Sequence, residues 1–267
     1  MQRCVKCYIL CVFFSFAVCS CVRHYSQVSS PAVIAHRGAA SSGPENSLLG
    51  IERAIRCGVD AVEVDVRSTC CGNIVLMHDA TVDRTTDGSG RVADLSLCEI
   101  KQLRLLDEGG AVTGERVPTL DETLAVIDGR CRVLIEVKGR AVGVERAVVD
   151  AIVRADAFSW VSVQSFSDDV LRCFASLGAP LVLEKLFVFK IPLLPVIFDN
   201  SFSFFSMRRY EHVSSFNIKK KYARKGLVER FRSAGKDVKV WTLKKNDTSC
   251  PQGVTGVITD YPQLFRP

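Results

Sequence analysis

Histidine, methionine and tryptophan are scarce in this chain, at four, three and two residues of 267. No GxGxxG turn and no Walker-type loop occurs, which removes the common nucleotide-binding frames. No long basic run is present either, and a net charge of +6 is too diffuse for a nucleic-acid stripe, so no nucleic-acid partner is expected. Cysteine is not scarce, but the seven beyond residue 30 (Cys57, Cys70, Cys71, Cys98, Cys131, Cys173, Cys250) are odd in number and lack metal-ligand spacing. No disulfide framework can be deduced from them, and one exported disulfide stays open. Adjacent Cys70 and Cys71 are not expected to pair, and most of the seven read as core thiols, with Cys57 and Cys131 standing where a small buried hydrophobe would serve.

Long hydrophobic runs are also missing. The apolar stretch from Cys7 to Val22 follows Arg3 and Lys6 and ends at Arg23-His24; it is short for a bilayer span, which needs about 20 residues. Residues 1–30 therefore read as a targeting segment: a lipoprotein leader with Cys21 as the lipid-bearing residue, a cleaved signal peptide, or an uncleaved anchor. Each places the body outside the cytoplasm, exported or in the cell envelope, and the lipoprotein and anchor readings add membrane contact through the N-terminus. Lys219-Lys220-Lys221 and Lys244-Lys245 read as a solvated face, or as a site of attraction to anionic headgroups.

What is present is a hydrophobic content of 48%, which excludes disorder, arranged as short apolar runs alternating with helical patterns. Eight strands are expected, at Ala32–His36, Ala61–Val66, Arg132–Val137, Trp160–Phe166, Leu181–Leu186, Ser214–Ile218, Val238–Leu243 and Thr255–Thr259. Helices are expected at Ser47–Cys57, Leu120–Ile127, Val142–Ala155, Asp168–Ser176 and Arg224–Ala234, with Ser47 and Asp168 as N-caps. Runs nearly continuous in Val, Ile and Ala suit a parallel sheet covered on its outer face. Eight of them in a chain of this length imply one domain, residues 31–267, folded as an α/β TIM (β/α)8 barrel. The segment from Met77 to Pro118, with its own helix expected at Ser96–Leu105, reads as an insertion between the second and third barrel strands.

In a barrel of this kind the chemistry lies where strand C-termini meet their following loops. The unusual polar residues fall there: His36-Arg37-Gly38, Glu63 and Asp65, Glu136 and Lys138, Gln164 and Trp241. Charges two apart in a strand share one face, and carboxylates are rarely buried without a partner. Three carboxylates suit one hard divalent cation, Mg²⁺ or Ca²⁺, rather than zinc. Arg37 and Lys138 offer the fixed positive groups that a phosphate needs, and His36 and His78 could serve as general base and general acid.

The chain resembles the glycerophosphodiester phosphodiesterases over about residues 32–263. The resemblance rests on His36-Arg37-Gly38, Pro44-Glu45-Asn46-Ser47, Glu63-Val64-Asp65-Val66, His78-Asp79 followed by Arg84-Thr85-Thr86-Asp87-Gly88, Pro118-Thr119-Leu120, Glu136-Val137-Lys138, Gln164-Ser165-Phe166, Val240-Trp241-Thr242 and Ile258-Thr259-Asp260-Tyr261-Pro262, in that order. It implies a barrel carrying a small insertion, and hydrolysis of a glycerophosphodiester to glycerol 3-phosphate and an alcohol. It further implies Glu63, Asp65 and Glu136 as metal ligands, Arg37 and Lys138 on the phosphate, His36 as proton acceptor and His78 as proton donor. Glu45 reads as support for the metal site, as a contact to substrate hydroxyls, or as part of a helix-entry turn; Gln164 and Trp241 are further candidate substrate contacts.

The sequence departs from the family pattern after Trp241-Thr242, where Leu243-Lys244-Lys245-Asn246 leads into a short Pro-containing link that leaves the seventh helix in doubt. Leu186–Pro195 and the Phe-rich Phe198–Phe205 read as buried, or as an apolar lip for an acyl chain. The alternatives are therefore lysophospholipase D-type cleavage of lysophospholipids at the same site, or an exported surface-binding barrel without turnover.

Overall fold

The computed structural model describes residues 30–39, 41–139, 141–188, 207–247 and 249–266. Eight parallel strands form a closed barrel: β1 (Ala32–Ala35), β2 (Ala61–Ser68), β6 (Arg132–Val137), β7 (Val161–Ser165), β8 (Val182–Phe187), β9 (Ser215–Lys219), β10 (Asp237–Leu243) and β11 (Gly256–Thr259). Closure comes from β1, which pairs with β11 on one side and with β2 on the other through Ile34–Ala61 and Ala35–Val62. All eight expected strands are found, their ends within a few residues of those expected. The short link after Trp241 does not prevent closure, since Lys239 and Val240 pair with Gly256 and Val257; among the described residues, 244–253 contain no helix.

The period of two in each strand divides the side chains between two environments. Val62, Val64 and Val66 on β2, with Val133, Ile135 and Val137 on β6, belong to the large core between barrel and helices. Ala61 and Leu134 from the alternate positions join Ile34 and Ile258 in a smaller core inside the barrel. Glu63, Asp65 and Glu136 share that inward parity, which carries them into the barrel mouth.

Helices α1 (Leu48–Arg56), α3 (Leu120–Ile127), α4 (Val144–Arg154), α5 (Asp168–Ser176) and α6 (Lys225–Ser233) lie where helices were expected. Ser47 caps α1 by accepting from the Gly50 N–H at 3.0 Å, and Thr119 and Glu122 form a reciprocal capping box on α3. The cap of α5 is Ser167, which accepts from Val170 N–H, rather than Asp168. Asp168 sits instead in the first turn, where its carboxylate meets Lys185.

Just before the insertion β3 (Ile74–Leu76) runs antiparallel to β2, and the insertion itself holds the short helix α2 (Leu97–Ile100) and a hairpin of β4 (Arg104–Leu106) and β5 (Val112–Arg116). The helix expected over Ser96–Leu105 thus stops after one turn. From Leu103 the pattern alternates, with Leu105 in the insertion's own core, Arg104 exposed, and the Asp87 carboxylate taking the Arg104 backbone N–H at 2.8 Å. A strand period places those leucines against Val92 and Val117, which a continued helix would not.

Of the seven cysteines only Cys131 is buried, and all seven are free. Cys70 and Cys71 stand exposed in the turn between β2 and β3, Cys98 is exposed on α2, and Cys57 is half-buried, so the expectation of mostly core thiols is corrected. The readings of residues 1–29 and of Phe198–Phe205 lie outside the described residues. Among the described residues no helix is long and apolar enough to cross a membrane.

Candidate active site

β1 ends in a tight turn over His36–Gly38 whose backbone leaves the helical region at Arg37, with φ 52°. That turn aims the Arg37 backbone N–H at Glu63 Oε2, 3.0 Å away. It also makes Gly38 obligatory: φ is +71°, and a Cβ there would stand 2.8 Å from Ile51 Cγ1.

Glu63 and Asp65 on β2 and Glu136 on β6 bring one carboxylate oxygen each within 4.8 Å of one another, and all three side chains are buried. Register explains the meeting, because Asp65 pairs directly with Glu136. Asn46 holds Asp65 from two sides, donating from Nδ2 to Asp65 Oδ2 and accepting the Asp65 backbone N–H, both at 3.0 Å. Gln164 Nε2 donates to Glu63 Oε1 at 3.2 Å. Lys138 Nζ lies 3.1 Å from Asp65 Oδ1 and 2.5 Å from Glu136 Oε1. Both oxygens are buried.

Three carboxylates that each bring an oxygen to one buried point are a fit for a hard cation, which prefers oxygen ligands. The electrostatics agree. Burial, then the charges of Asp65 and Glu136, push the Glu63 carboxyl well above the usual carboxylate range, and burial with Asp65 lifts Glu136 to about 7 against the pull of Lys138. At Asp65 burial acts in the same upward sense, but Lys138 and Arg37 outweigh it and hold the group below its ordinary value. A bound divalent cation would favour the ionised form of all three.

Both histidines present themselves alike. His36 Nδ1 is 2.6 Å from Asp260 Oδ1, and His78 Nδ1 is 2.7 Å from Asp79 Oδ1. Asp260 also pairs with Lys244 at 2.7 Å; despite burial, His36 and Lys244 bring its carboxyl down to about 2. Arg84 joins Asp79 through Nε and forks onto Glu45 at 2.8 Å through both terminal nitrogens, while Arg37 Nη1 reaches both Glu45 oxygens at 3.1 Å. Asp79 drops to about 2, chiefly through Arg84. His78 is shifted below its ordinary value by burial, against the opposing pull of Asp65 and Asp79.

His36, Arg37, Glu63, His78, Glu136, Lys138 and Gln164 line a cavity of about 280 Å³ whose other wall is Phe166, Leu186 and Trp241. A second, polar cleft of about 450 Å³ shares His36 and Arg37 and is lined by Glu45, Arg84, Asp107 and Glu108 among others. Phe166 and Trp241 meet edge to face at 5.7 Å, and the Trp241 indole N–H donates to Asn217 O at 3.0 Å. The structure thus brings His36, Arg37, Glu63, Asp65, His78, Glu136, Lys138, Gln164 and Trp241 together. Glu45 stands apart from the carboxylate cluster, as the acidic bridge between Arg37 and Arg84. Sequence reasoning assigned no role to Asn46, Asp79, Arg84 or Asp260; the position of Asp79 directly after His78 was the available signal.

The Glycerophosphoryl diester phosphodiesterase family model matches residues 36–264. The glycerophosphodiester phosphodiesterase of Caldanaerobacter subterraneus subsp. tengcongensis is 35% identical over 243 residues, covering 87% of this chain and 95% of its own. Among solved structures, a phosphodiesterase from Oleispira antarctica in complex with the product sn-glycerol-3-phosphate superposes with a TM-score of 0.73 at 28% identity, covering 88% of this chain and 94% of its own. The glycerophosphodiester phosphodiesterase of Agrobacterium tumefaciens gives a TM-score of 0.73 at 26% identity, covering 89% and 100%. With the family model matched over residues 36–264 and a 35% identical relative covered almost end to end, the chain belongs to the glycerophosphoryl diester phosphodiesterases.

Proposed function

We propose that the protein hydrolyses glycerophosphodiesters to glycerol 3-phosphate and an alcohol, with one divalent cation, Mg²⁺ or Ca²⁺, held by Glu63, Asp65 and Glu136. The observation that carries this reading is the pairing of two carboxylate-anchored histidines with a buried three-carboxylate cluster in one cavity. When bound, such a cation supplies positive charge to the phosphoryl oxygens. Arg37 and Lys138 bind the remaining phosphoryl charge, the guanidinium being oriented by Glu45. Asp260 fixes Nδ1 of His36, which leaves Nε2 to take the proton of the attacking hydroxyl. Asp79 holds Nδ1–H of His78, so His78 acts as the acid in its imidazolium form, which the charges of Asp65 and Asp79 favour against burial; its Nε2–H gives the proton to the departing alkoxide and the ring is left neutral.

A second reading, cleavage of lysophospholipids, draws on the apolar wall, where Phe166 is 44% exposed beside Trp241. The two separate by assaying release of glycerol 3-phosphate from glycerophosphocholine beside release of choline from lysophosphatidylcholine. Higher kcat/KM on glycerophosphocholine supports the first; a preference that grows with acyl length overturns it in favour of the second. For residues 1–30 the proposal is export to the envelope with Cys21 lipidated. Incorporation of labelled palmitate that is lost in Cys21→Ala supports it, and unlabelled wild-type protein removes it.

A further inference from the structure

Below the carboxylate cluster the barrel interior turns polar. Gln164, Glu184 and Asn217, from the neighbouring strands β7, β8 and β9, are all buried, at 1%, 2% and 0% exposure. They form one continuous chain of hydrogen bonds. Lys239 Nζ pairs with Glu184 Oε2. Asn217 Nδ2 donates to Glu184 Oε2 and to Gln164 Oε1, both at 2.8 Å, and Gln164 Nε2 donates to Glu63 Oε1.

The direction of donation along this chain is fixed. Glu184, as a carboxylate paired with Lys239, can only accept. The Asn217 amide nitrogen must therefore face Glu184 and Gln164, which leaves its Oδ1 to accept from Ser215 Oγ at 2.9 Å. A lone glutamine amide can turn either way, but the donation it receives from Asn217 on Oε1 leaves only Nε2 for Glu63. Reversed, the amide would set its oxygen against a carboxylate oxygen.

We infer that Asn217 is a positioning residue for the metal centre, holding the Glu63 carboxylate through Gln164, with the accepting side-chain oxygen at position 184, which Lys239 holds, setting the direction in which the chain donates. The inference rests on the reading of Glu63 as a cation ligand. Asn217 does not line the cavity that holds the histidines, and its backbone oxygen also anchors Trp241. Partners that orient metal ligands at one remove typically change metal affinity by about 10- to 100-fold when lost.

The test is calorimetric titration of the full chain with Mg²⁺ and with Ca²⁺, in the wild type, Glu184→Gln and the double variant Asn217→Asp with Glu184→Gln. Glu184→Gln removes a charge but keeps an oxygen that accepts from Asn217, so the expected Kd stays within about threefold of wild type. In the double variant Gln at 184 donates to Asp at 217, which keeps the interior hydrogen-bonded. Gln164 is then drawn over to donate to Asp at 217, and Kd weakens by about 10- to 100-fold, while kcat and KM recover at saturating metal. If the double variant does not fold, Asn217→Ser, too short to reach Gln164, is expected to show the same loss and recovery. Wild-type affinity in the folded variant, an equal loss in Glu184→Gln alone, or a loss of kcat that saturating metal does not restore overturns the inference. Wild-type protein that binds neither ion removes the metal reading, and the inference with it.

Discussion

Replacing His78 with alanine separates proton donation from every other service of the site. His78 Nδ1 is committed to Asp79, so only Nε2 can reach a leaving group, and the ring lines the same cavity as Glu63 and Glu136. A positioned acid contributes about 10² to 10⁴ in rate, equivalent to roughly 3–5 kcal/mol of barrier at 1.36 kcal/mol per decade. That loss is expected in kcat for glycerophosphocholine, whose alkoxide must be protonated as it departs. With glycerophospho-p-nitrophenol the nitrophenolate leaves without a proton, and the His78→Ala loss should shrink to about tenfold or less. His36→Ala, by contrast, should lose about 10² to 10⁴ on both substrates, because the attacking hydroxyl must give up its proton in either case. Equal losses for His78→Ala on the two substrates, or a larger one on the nitrophenyl ester, would refute the assignment of acid and base.

Other consequences can be checked on stability and reactivity. Asp260 has its carboxyl lowered to about 2, so the stabilisation from its pairing is complete above the ordinary carboxylate range and is lost as pH falls from about 4 towards 2; Asp260→Asn should remove on the order of 2 kcal/mol of that acid-dependent stability, read as a flatter dependence of the urea midpoint between those pH values. Gly38→Ala combines a positive φ with a clash on Ile51 and should cost about 2 kcal/mol, lowering Tm by roughly 4–8 °C in a calorimetric scan; an unchanged Tm would show that the turn relaxes freely. Burial pushes the Cys131 thiol up to about 11, so peptide mapping after iodoacetamide near neutral pH should find Cys70, Cys71 and Cys98 labelled while Cys131 is spared.

The barrel was legible because its strands are short and apolar and alternate with helical patterns, and because period two alone places Glu63 beside Asp65 and lifts both away from Val64. Pairing across the barrel was not. His36 meets Asp260 across 224 positions, and Asn217 meets Gln164 across 53, distances fixed by closure and strand register rather than by local pattern. The α2 region failed for a different reason: Leu97, Ile100 and Leu103 satisfy a helical period while Leu103 and Leu105 satisfy a strand period, and only the partner strand β5 decides between them. Surface cysteines misled because a small apolar residue is ordinarily buried, whereas Cys70 and Cys71 occupy an exposed turn.

The most direct test of the central claim is release of glycerol 3-phosphate from glycerophosphocholine by the full chain, after chelation and after adding back Mg²⁺ or Ca²⁺, beside Glu63→Ala. The reading expects activity that chelator abolishes, that one of the two ions restores, and that Glu63→Ala lacks at ion levels saturating for the wild type. Turnover unaffected by chelator, or retained in full by Glu63→Ala, would contradict it.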